Sequence, residues 1–143
     1  MYEDMLARVD LFAGLDERAL QLLASVCRER KYSAGSTLFR QGDTGVGLYV
    51  ITSGTVHITQ AIDPDKAEVD LGTVSSGGVL GEMSLLDDLP RSATATAVSD
   101  VTALLLPVWE FRTTIRDHPD IALSLLSILS RRLRNVESHI HDY

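Results

Sequence analysis

One carboxylate and one guanidinium lie nine positions apart in a segment rich in glycine and small side chains: Glu82, directly after Gly81, and Arg91, directly before a Ser-Ala-Thr run. A guanidinium is a planar fork that suits a phosphate, and an ionised carboxylate accepts hydrogen bonds from a sugar hydroxyl. Glycine lets a backbone bend sharply and approach a ligand closely. The segment 77–96 therefore predicts a cradle for a molecule with a phosphate at one end and a hydroxyl nearby.

Two stretches of the chain resemble the cyclic nucleotide-binding domain family. Gly-Glu-Met-Ser-Leu at 81–85, followed by Pro-Arg-Ser-Ala-Thr at 90–94, looks like that family's phosphate-binding cassette. Residues 35–54 are similar to its glycine-punctuated strands. The resemblance covers roughly residues 11–138 and is more specific than either stretch alone. It extends to bacterial catabolite-activator regulators and protein kinase A regulatory subunits, and it implies cAMP or cGMP as the ligand.

The resemblance also implies a role for each residue of the site. Glu82 would accept the ribose 2′-hydroxyl, and Arg91 would pair with the cyclic phosphate. Backbone N–H groups of the cassette would line the same anion, with the Ser92 hydroxyl as a further donor, and apolar side chains would hold the purine. The implied ligand-binding set is Gly81, Glu82, Met83, Ser84, Arg91, Ser92, Ala93, Ile58, Leu71 and Val74.

Arg91 also has a purely structural interpretation. It would form an ion pair with Glu82 or Asp88, and the two interpretations are compatible because Arg91 and Glu82 would pair with each other in an empty pocket. The apolar base-lining residues would likewise belong to the ordinary core. Both interpretations stay open from the sequence.

The choice of base stays open as well. In the bacterial regulators that the chain resembles, small hydroxyl residues on the last helix read the adenine edge, whereas the matching positions here are Val136 and Glu137. Glu137 either accepts from guanine N–H groups or points to solvent. Ser92 stands where other family members use threonine for cGMP or alanine for cAMP, and serine does not decide between the two.

The elements that must position this site change in character twice along the chain. Helical patterns dominate a lead-in at 1–30, short strand and turn patterns follow at 31–106, and helices return at 107–140. Many short strands at regular spacing are typical of a sandwich or barrel. With the resemblance, we expect one α+β domain over 1–143. Its antiparallel β-roll, a jelly-roll-like double-stranded β-helix, would be flanked by N-terminal helices and a long C-terminal helix.

The last helix carries two apolar stripes. One steps by four and three residues as a heptad seam, and it predicts a homodimer. The other is suited to packing on the β domain; the alternative is that the whole helix covers the barrel. The seam comprises Ala122, Leu126, Leu129, Leu133, Val136 and Ile140, and the second stripe comprises Ile121, Leu125 and Ile128.

Composition excludes several classes of protein. The net charge of −7 over 143 residues opposes nonspecific attraction to nucleic acid. Too few residues follow Leu133 for a helix-turn-helix domain, so we expect no DNA binding by this chain. No apolar run is long enough to span a membrane, and the N-terminus lacks the basic residues of a signal peptide. The single cysteine, Cys27, reads as a buried thiol in a reducing compartment, so we expect a cytoplasmic protein.

No catalytic or metal-binding constellation is visible. The four histidines are scattered, and nothing places a general base beside a nucleophile. The leading hypothesis is therefore a regulatory sensor of cAMP or cGMP that couples ligand occupancy to the position of the C-terminal helix. The alternative is a degenerate domain that keeps the fold, binds no nucleotide and serves dimerisation or protein interaction. A third hypothesis, an enzyme acting on cyclic nucleotides, lacks any supporting constellation.

Overall fold

The computed structural model describes residues 2–87 and 89–141, with side chains through residue 136. Helices lie at both ends of a set of strands, and two 3₁₀ helices interrupt the order. The N-terminal part contains α1 (Tyr2–Leu6), a first 3₁₀ helix (Asp10–Phe12) and α2 (Glu17–Ser25). The strands are β1 (Arg28–Tyr32), β2 (Thr37–Phe39), β3 (Gly47–Ser53), β4 (Val56–Gln60), β5 (Val69–Val74), β6 (Val79–Leu80), β7 (Thr94–Ala97) and β8 (Val101–Pro107). A second 3₁₀ helix (Glu82–Leu85) follows β6, and α3 (Val108–Asp117) and α4 (Pro119–His141) follow β8.

The strands form two antiparallel sheets of four. One sheet has the order β1-β8-β3-β6 and the other has the order β2-β7-β4-β5. Neighbouring strands within each sheet are mostly distant in sequence, as expected when a chain winds two sheets into a roll. The predicted α+β fold with an antiparallel β-roll and terminal helices is confirmed.

Two apolar cores hold these layers together. The first lies between the helices and one sheet, where the rings of Phe12 and Phe111 stack with centroids 6.3 Å apart. The predicted inner stripe of α4 belongs to it, since Ile121, Leu125 and Ile128 are buried. The second core fills the space between the two sheets and includes Tyr49. The last helix is therefore fixed to the roll by the stripe that the sequence pattern assigned to this packing.

The lead-in differs from the expectation in where its helices end. α2 begins after its N-cap Asp16, whose side chain accepts from the Ala19 N–H at 2.8 Å, but it ends at Ser25. The charged segment that follows pairs along its whole length with β8 and forms strand β1. β1 lies at the edge of its sheet, where charged side chains discourage pairing with other chains. The charges therefore belong to a protected strand edge, and the helical lead-in stops before residue 28 rather than at 30.

The predicted heptad seam of α4 is mostly uncovered. Leu126, Leu133 and Val136 are each more than half exposed, whereas Leu129 packs against the first core. The side chain of Ile140 lies outside the described residues. Among the described residues, no helix has the length and apolar character needed to cross a membrane. The outer face of α4 thus keeps an apolar surface that the rest of the described chain does not cover.

Candidate ligand-binding site

A cavity of about 550 Å³ lies between the second sheet and the segment from β6 to β7. This is within the size range of small-molecule sites in proteins. Nine of the ten predicted site residues line the cavity, and Val74 is the exception. The lining consists of Phe39, Ile58, Leu71, Val79, Leu80, Gly81, Glu82, Met83, Ser84, Asp87, Leu89, Pro90, Arg91, Ser92 and Ala93. The fold thus gathers the cassette and two of the predicted base-lining residues around one space.

Arg91 lies at the inner wall of this cavity and is only 5% exposed. Its Nη2 donates to the carbonyl of Gly47 at 2.7 Å, and its Nη1 donates to the Ser84 hydroxyl at 3.0 Å. Its buried Nε has no hydrogen-bond partner in the described part of the chain. Burial lowers the pKa of the Arg91 guanidinium, yet an arginine remains protonated at neutral pH. The site therefore contains a buried cation with an unused donor.

The backbone of Arg91 is held as tightly as its side chain. Its N–H donates to the Asp43 carbonyl at 2.7 Å, and its carbonyl accepts from the Gly42 N–H at 2.8 Å. These two bonds fasten the end of the cassette to the turn between β2 and β3. The Arg91 side chain therefore projects from a fixed point.

Two glycines make room for this arginine. Gly81 has a φ of 75°, and a Cβ on it would overlap Arg91 Nη1. A Cβ on Gly45 would lie 2.7 Å from the Ser84 hydroxyl, which accepts a hydrogen bond from Arg91 Nη1. Both contacts are closer than van der Waals distance allows. The glycines of this segment thus serve the packing of the arginine, in addition to the sharp backbone bend that Gly81 makes.

Glu82 does not pair with Arg91, contrary to one structural interpretation of the sequence, and Asp88, the other partner in that interpretation, lies outside the described residues. Its Oε1 accepts from the backbone N–H of Leu11 at 2.7 Å and from Arg132 Nη2 at 2.8 Å. The arginine that pairs with Glu82 is therefore the one on α4. Arg91 packs against Gly81 and donates to the Gly47 carbonyl instead. Since Glu82 lines the cavity, this carboxylate connects the cavity wall to both terminal parts of the chain.

The backbone groups of the cassette are partly engaged. The Ser84 N–H, one of the predicted anion donors, donates to the Gly81 carbonyl at 3.1 Å within the second 3₁₀ helix. The Ser84 hydroxyl instead contacts Arg91. At the other end, Gln60 Nε2 donates to the Ser92 carbonyl at 2.9 Å and fixes the segment that carries Ser92 and Ala93.

The base side of the cavity is apolar, as expected, but its composition differs at one position. Ile58 and Leu71 line it, whereas Val74 packs into the core between the sheets, beside Gly78. The β4–β5 register shifts between Ile58 and Thr59, which leaves Leu71 as the extra residue of a bulge. Such a bulge re-aims a side chain, and Val74, which the resemblance implied as a base-lining residue, does not line the cavity.

The described part of the last helix does not cover the cavity. None of the lining residues belongs to the described part of α4, and Val136 is 52% exposed. The Glu137 side chain lies outside the described residues. Within the described residues, no three His, Cys, Asp or Glu side chains lie close enough to hold a metal. The contact between α4 and this site is made by Arg132, through Glu82.

Sequence reasoning missed Arg132, although a signal was present. Arg132 continues the buried stripe Ile121, Leu125, Ile128 at the next four-residue step. A charged residue that continues an apolar, buried stripe needs a partner of opposite charge. Phe39 and Gln60 were missed because only the folded sheet brings them to the cassette.

Comparison with known proteins identifies one matching family model and several similar proteins. The family model described as the cyclic nucleotide-binding domain matches residues 29–118. The chain is 33% identical over 140 residues to a CRP-like cAMP-activated global transcriptional regulator of Mycobacterium tuberculosis, covering 98% of the chain and 62% of that regulator. It is 38% identical over 127 residues to the cyclic AMP receptor protein of Thermus thermophilus, covering 89% of the chain and 58% of that protein.

A solved structure agrees over nearly its full length. The N-terminal domain of a transcriptional regulator from Streptomyces coelicolor A3(2) superimposes with a TM-score of 0.86 and 36% sequence identity, covering 96% of this chain and 95% of that one. By contrast, the chain spans only about three fifths of the two regulators above. The similarity therefore concerns one domain of those proteins.

Proposed function

The chain belongs to the cyclic nucleotide-binding domain family, and we propose that it is a sensor module that binds cAMP or cGMP and couples occupancy of the cavity to the position of α4. The observation that carries this proposal is the buried Arg91, whose Nε has no partner among the described residues and which lies at the wall of a 550 Å³ cavity. A buried, unsatisfied donor on a cation is costly unless an anion or water meets it. A cyclic phosphate supplies that anion.

The rest of the cavity suits the rest of a cyclic nucleotide. The ribose 2′-hydroxyl would donate to the Glu82 carboxylate, and the Ser92 hydroxyl would add a donor to the phosphate. The purine would lie on the apolar wall that includes Ile58 and Leu71. Because that wall has few polar groups to read a base, we expect modest discrimination between the purines. The two cAMP-named relatives support cAMP as the preferred ligand.

The Glu82–Arg132 contact supports the coupling. A 2′-hydroxyl that donates to Glu82 would share the carboxylate with Arg132 on α4 and with the Leu11 N–H of the first 3₁₀ helix. Ligand binding would therefore change the contacts that hold both terminal parts against the cassette. Such a coupling requires different ligand affinities for the two arrangements of α4.

The exposed apolar face of α4 supports a homodimer. Leu126, Leu133 and Val136 continue one side of the helix and are uncovered. Pairing two copies along this seam would bury that apolar surface, and it would make the geometry of the pair depend on α4. The net charge of −7 disfavours direct contact between this chain and DNA. We therefore assign the described residues a sensing role only.

One observation favours the degenerate alternative. Glu82 is already satisfied within the protein, and the described part of α4 contributes no residue to the cavity. A domain that had lost its ligand would retain such internal bonds and use α4 for dimerisation alone. For the enzyme hypothesis, the described residues offer no comparable observation.

Titration calorimetry with cAMP, cGMP and AMP, accompanied by thermal unfolding, distinguishes these functions. A ligand at 100 times its Kd adds about 2.7 kcal/mol to the free energy of unfolding. We expect saturable heat and a raised Tm with at least one cyclic nucleotide and little effect of AMP. If millimolar cAMP and cGMP both leave Tm unchanged, the sensor proposal is wrong and the degenerate alternative holds.

A further inference from the structure

We propose that Phe39 is a positioning residue for the anion site. Its ring holds the Arg91 guanidinium in the orientation that a phosphate needs, without neutralising the charge. The inference deepens the proposed function and rests on it for the ligand. Phe39 lies on β2, outside the cassette segment 77–96, and it is not one of the ligand-binding residues predicted from the sequence.

The geometry is that of a cation stacked on an aromatic face. Arg91 Cζ lies 4.2 Å from the centroid of the Phe39 ring and 5.8 Å from that of Tyr49. A guanidinium within about 6 Å of a ring centroid is attracted by the negative face of the ring, most strongly when water is excluded. With Arg91 only 5% exposed, that condition is met.

Among the described residues, the Phe39 ring takes the place of an ion-pair partner for Arg91. Among the described residues, no acidic side chain forms an ion pair with Arg91, although the guanidinium is buried. A carboxylate partner would compete with an incoming phosphate for the same N–H groups. A ring attracts the cation from its face and does not compete for its N–H groups, of which Nε has no hydrogen-bond partner among the described residues.

Phe39 is itself held in place by a stack of rings and by a strand irregularity. The centroid of its ring lies 5.9 Å from that of Tyr49, which is buried. The ring centroids of Tyr49 and Tyr32 in turn lie 6.4 Å apart. The β2–β7 register shifts between Thr37 and Phe39, and such a bulge re-aims a side chain. Phe39 therefore reaches the cavity wall, where it is the one aromatic side chain among the described lining residues.

The first test compares Phe39→Leu with Phe39→Tyr. Leucine keeps an apolar side chain but has no ring face, so we expect cAMP affinity to fall about five- to thirtyfold, which is about 1–2 kcal/mol at 1.4 kcal/mol per decade. Phe39→Tyr keeps the ring and should retain affinity within about threefold. Phe12→Leu removes a ring of the other core and should lower Tm without changing cAMP affinity.

A double-mutant cycle separates positioning from direct contact with the base. In an Arg91→Lys background, which lacks the planar fork, Phe39→Leu should cost less than half of its effect in the wild type, measured as log Kd with cAMP titrated to millimolar concentration. If the two losses are simply additive, Phe39 acts on the ligand directly and the positioning role is wrong.

A second readout needs no ligand, so that failure of this inference and failure of the proposed function remain distinguishable. In the ¹⁵N–¹H spectrum of the free protein, the Arg91 Nε–H signal, identified by its absence in Arg91→Lys, should be shifted by the Phe39 ring current and protected from solvent exchange. Phe39→Leu should remove the shift and speed exchange, whereas Phe39→Tyr should preserve both. An Arg91 signal that is unchanged in Phe39→Leu would overturn the inference, whether or not the protein binds cAMP.

Discussion

Arg132 Nη2 on α4 lies 2.8 Å from Glu82 Oε1 in the cassette, a contact between residues fifty positions apart in the sequence. The same oxygen accepts from the Leu11 N–H at 2.7 Å. One carboxylate therefore joins the N-terminal 3₁₀ helix, the cavity wall and the last helix. Because the side chains are partly exposed, the ion pair contributes little to the free energy of unfolding, about 1 kcal/mol or less. The ion pair matters because it connects α4 to the wall of the cavity.

Arg132→Gln should uncouple α4 from the cavity with little loss of stability. Hydrogen exchange along α4 should change when cAMP is added to the wild type, and that change should be much smaller in the variant, because Glu82 no longer has a cationic partner on the helix. Arg131→Gln is the matched control, since it removes the same charge from an exposed neighbour on the same helix. An equal cAMP-dependent response in both variants would mean that α4 is coupled by another route.

Glu82→Gln should weaken cAMP binding through the ribose. A hydroxyl bonds more strongly to a charged carboxylate than to a neutral amide, so we expect about a tenfold loss of cAMP affinity in calorimetry. 2′-Deoxy-cAMP, which lacks the hydroxyl, should bind wild type and variant alike. Asp87→Asn changes the other carboxylate of the lining and should leave the preference for cAMP over the deoxy ligand unchanged. A similar loss for both ligands in Glu82→Gln would show that Glu82 does not contact the ribose.

Gly81→Ala should impair both stability and binding, because its Cβ would overlap Arg91 Nη1 as well as strain the backbone. Gly35→Ala is a matched control with a similar positive φ of 88° and nothing within 4 Å of the added Cβ. The control should lower the free energy of unfolding by about 1–2 kcal/mol, the cost of a left-handed residue, and leave binding intact. Urea unfolding and cAMP titration measure the two effects. Equal behaviour of the two variants would mean that the arginine does not need the space.

The β-roll, the inner stripe of α4 and the cassette were all predictable from the sequence, for different physical reasons. Short alternating strands and a four-three helical repeat are local signals. The Asp16 cap is also local, since it joins residues three positions apart. The cassette was found through its spacing and its resemblance to a family. The helical stripe is visible within a short window of sequence, whereas the β-roll and the cassette were implied by the resemblance.

What was not predictable depends on long-range placement. Glu82 pairs with Arg132 and not with Arg91, and although Arg132 continues the inner stripe of α4, only the fold shows which carboxylate it meets. Leu71 lies at a bulge and lines the cavity, whereas Val74 does not, and a strand pattern does not reveal where a bulge falls. Residues 28–30 were assigned to the helical lead-in because their partner strand lies more than 65 residues further on.

The thiol of Cys27 should be unreactive in the folded protein. Burial raises its pKa to about 12, and its Sγ lies 3.4 Å from the Leu23 carbonyl oxygen. Iodoacetamide at mildly alkaline pH should label the thiol slowly in buffer and quickly in urea.

The sign of the pH effect follows from the same pKa. An unfolded thiol loses its proton near pH 9 while the folded one keeps it, so the unfolded state binds fewer protons above that pH. The thiol's contribution is therefore fully present below about pH 9 and is lost as the pH rises toward 12. The difference in the free energy of unfolding between wild type and Cys27→Ala should shrink over that range. A pH-independent difference would contradict the burial of the thiol.

The most direct test of the account is calorimetric titration of cAMP into the wild type, Arg91→Gln and Arg40→Gln. Arg40 is an exposed arginine on the neighbouring turn, and its loss controls for the change in net charge. A charge-assisted phosphate contact contributes about 1.5–3 kcal/mol, so Arg91→Gln should weaken cAMP binding by about one to two decades. Arg40→Gln should bind like the wild type. Unchanged affinity in a folded Arg91→Gln variant would contradict the central claim that this buried arginine holds the phosphate.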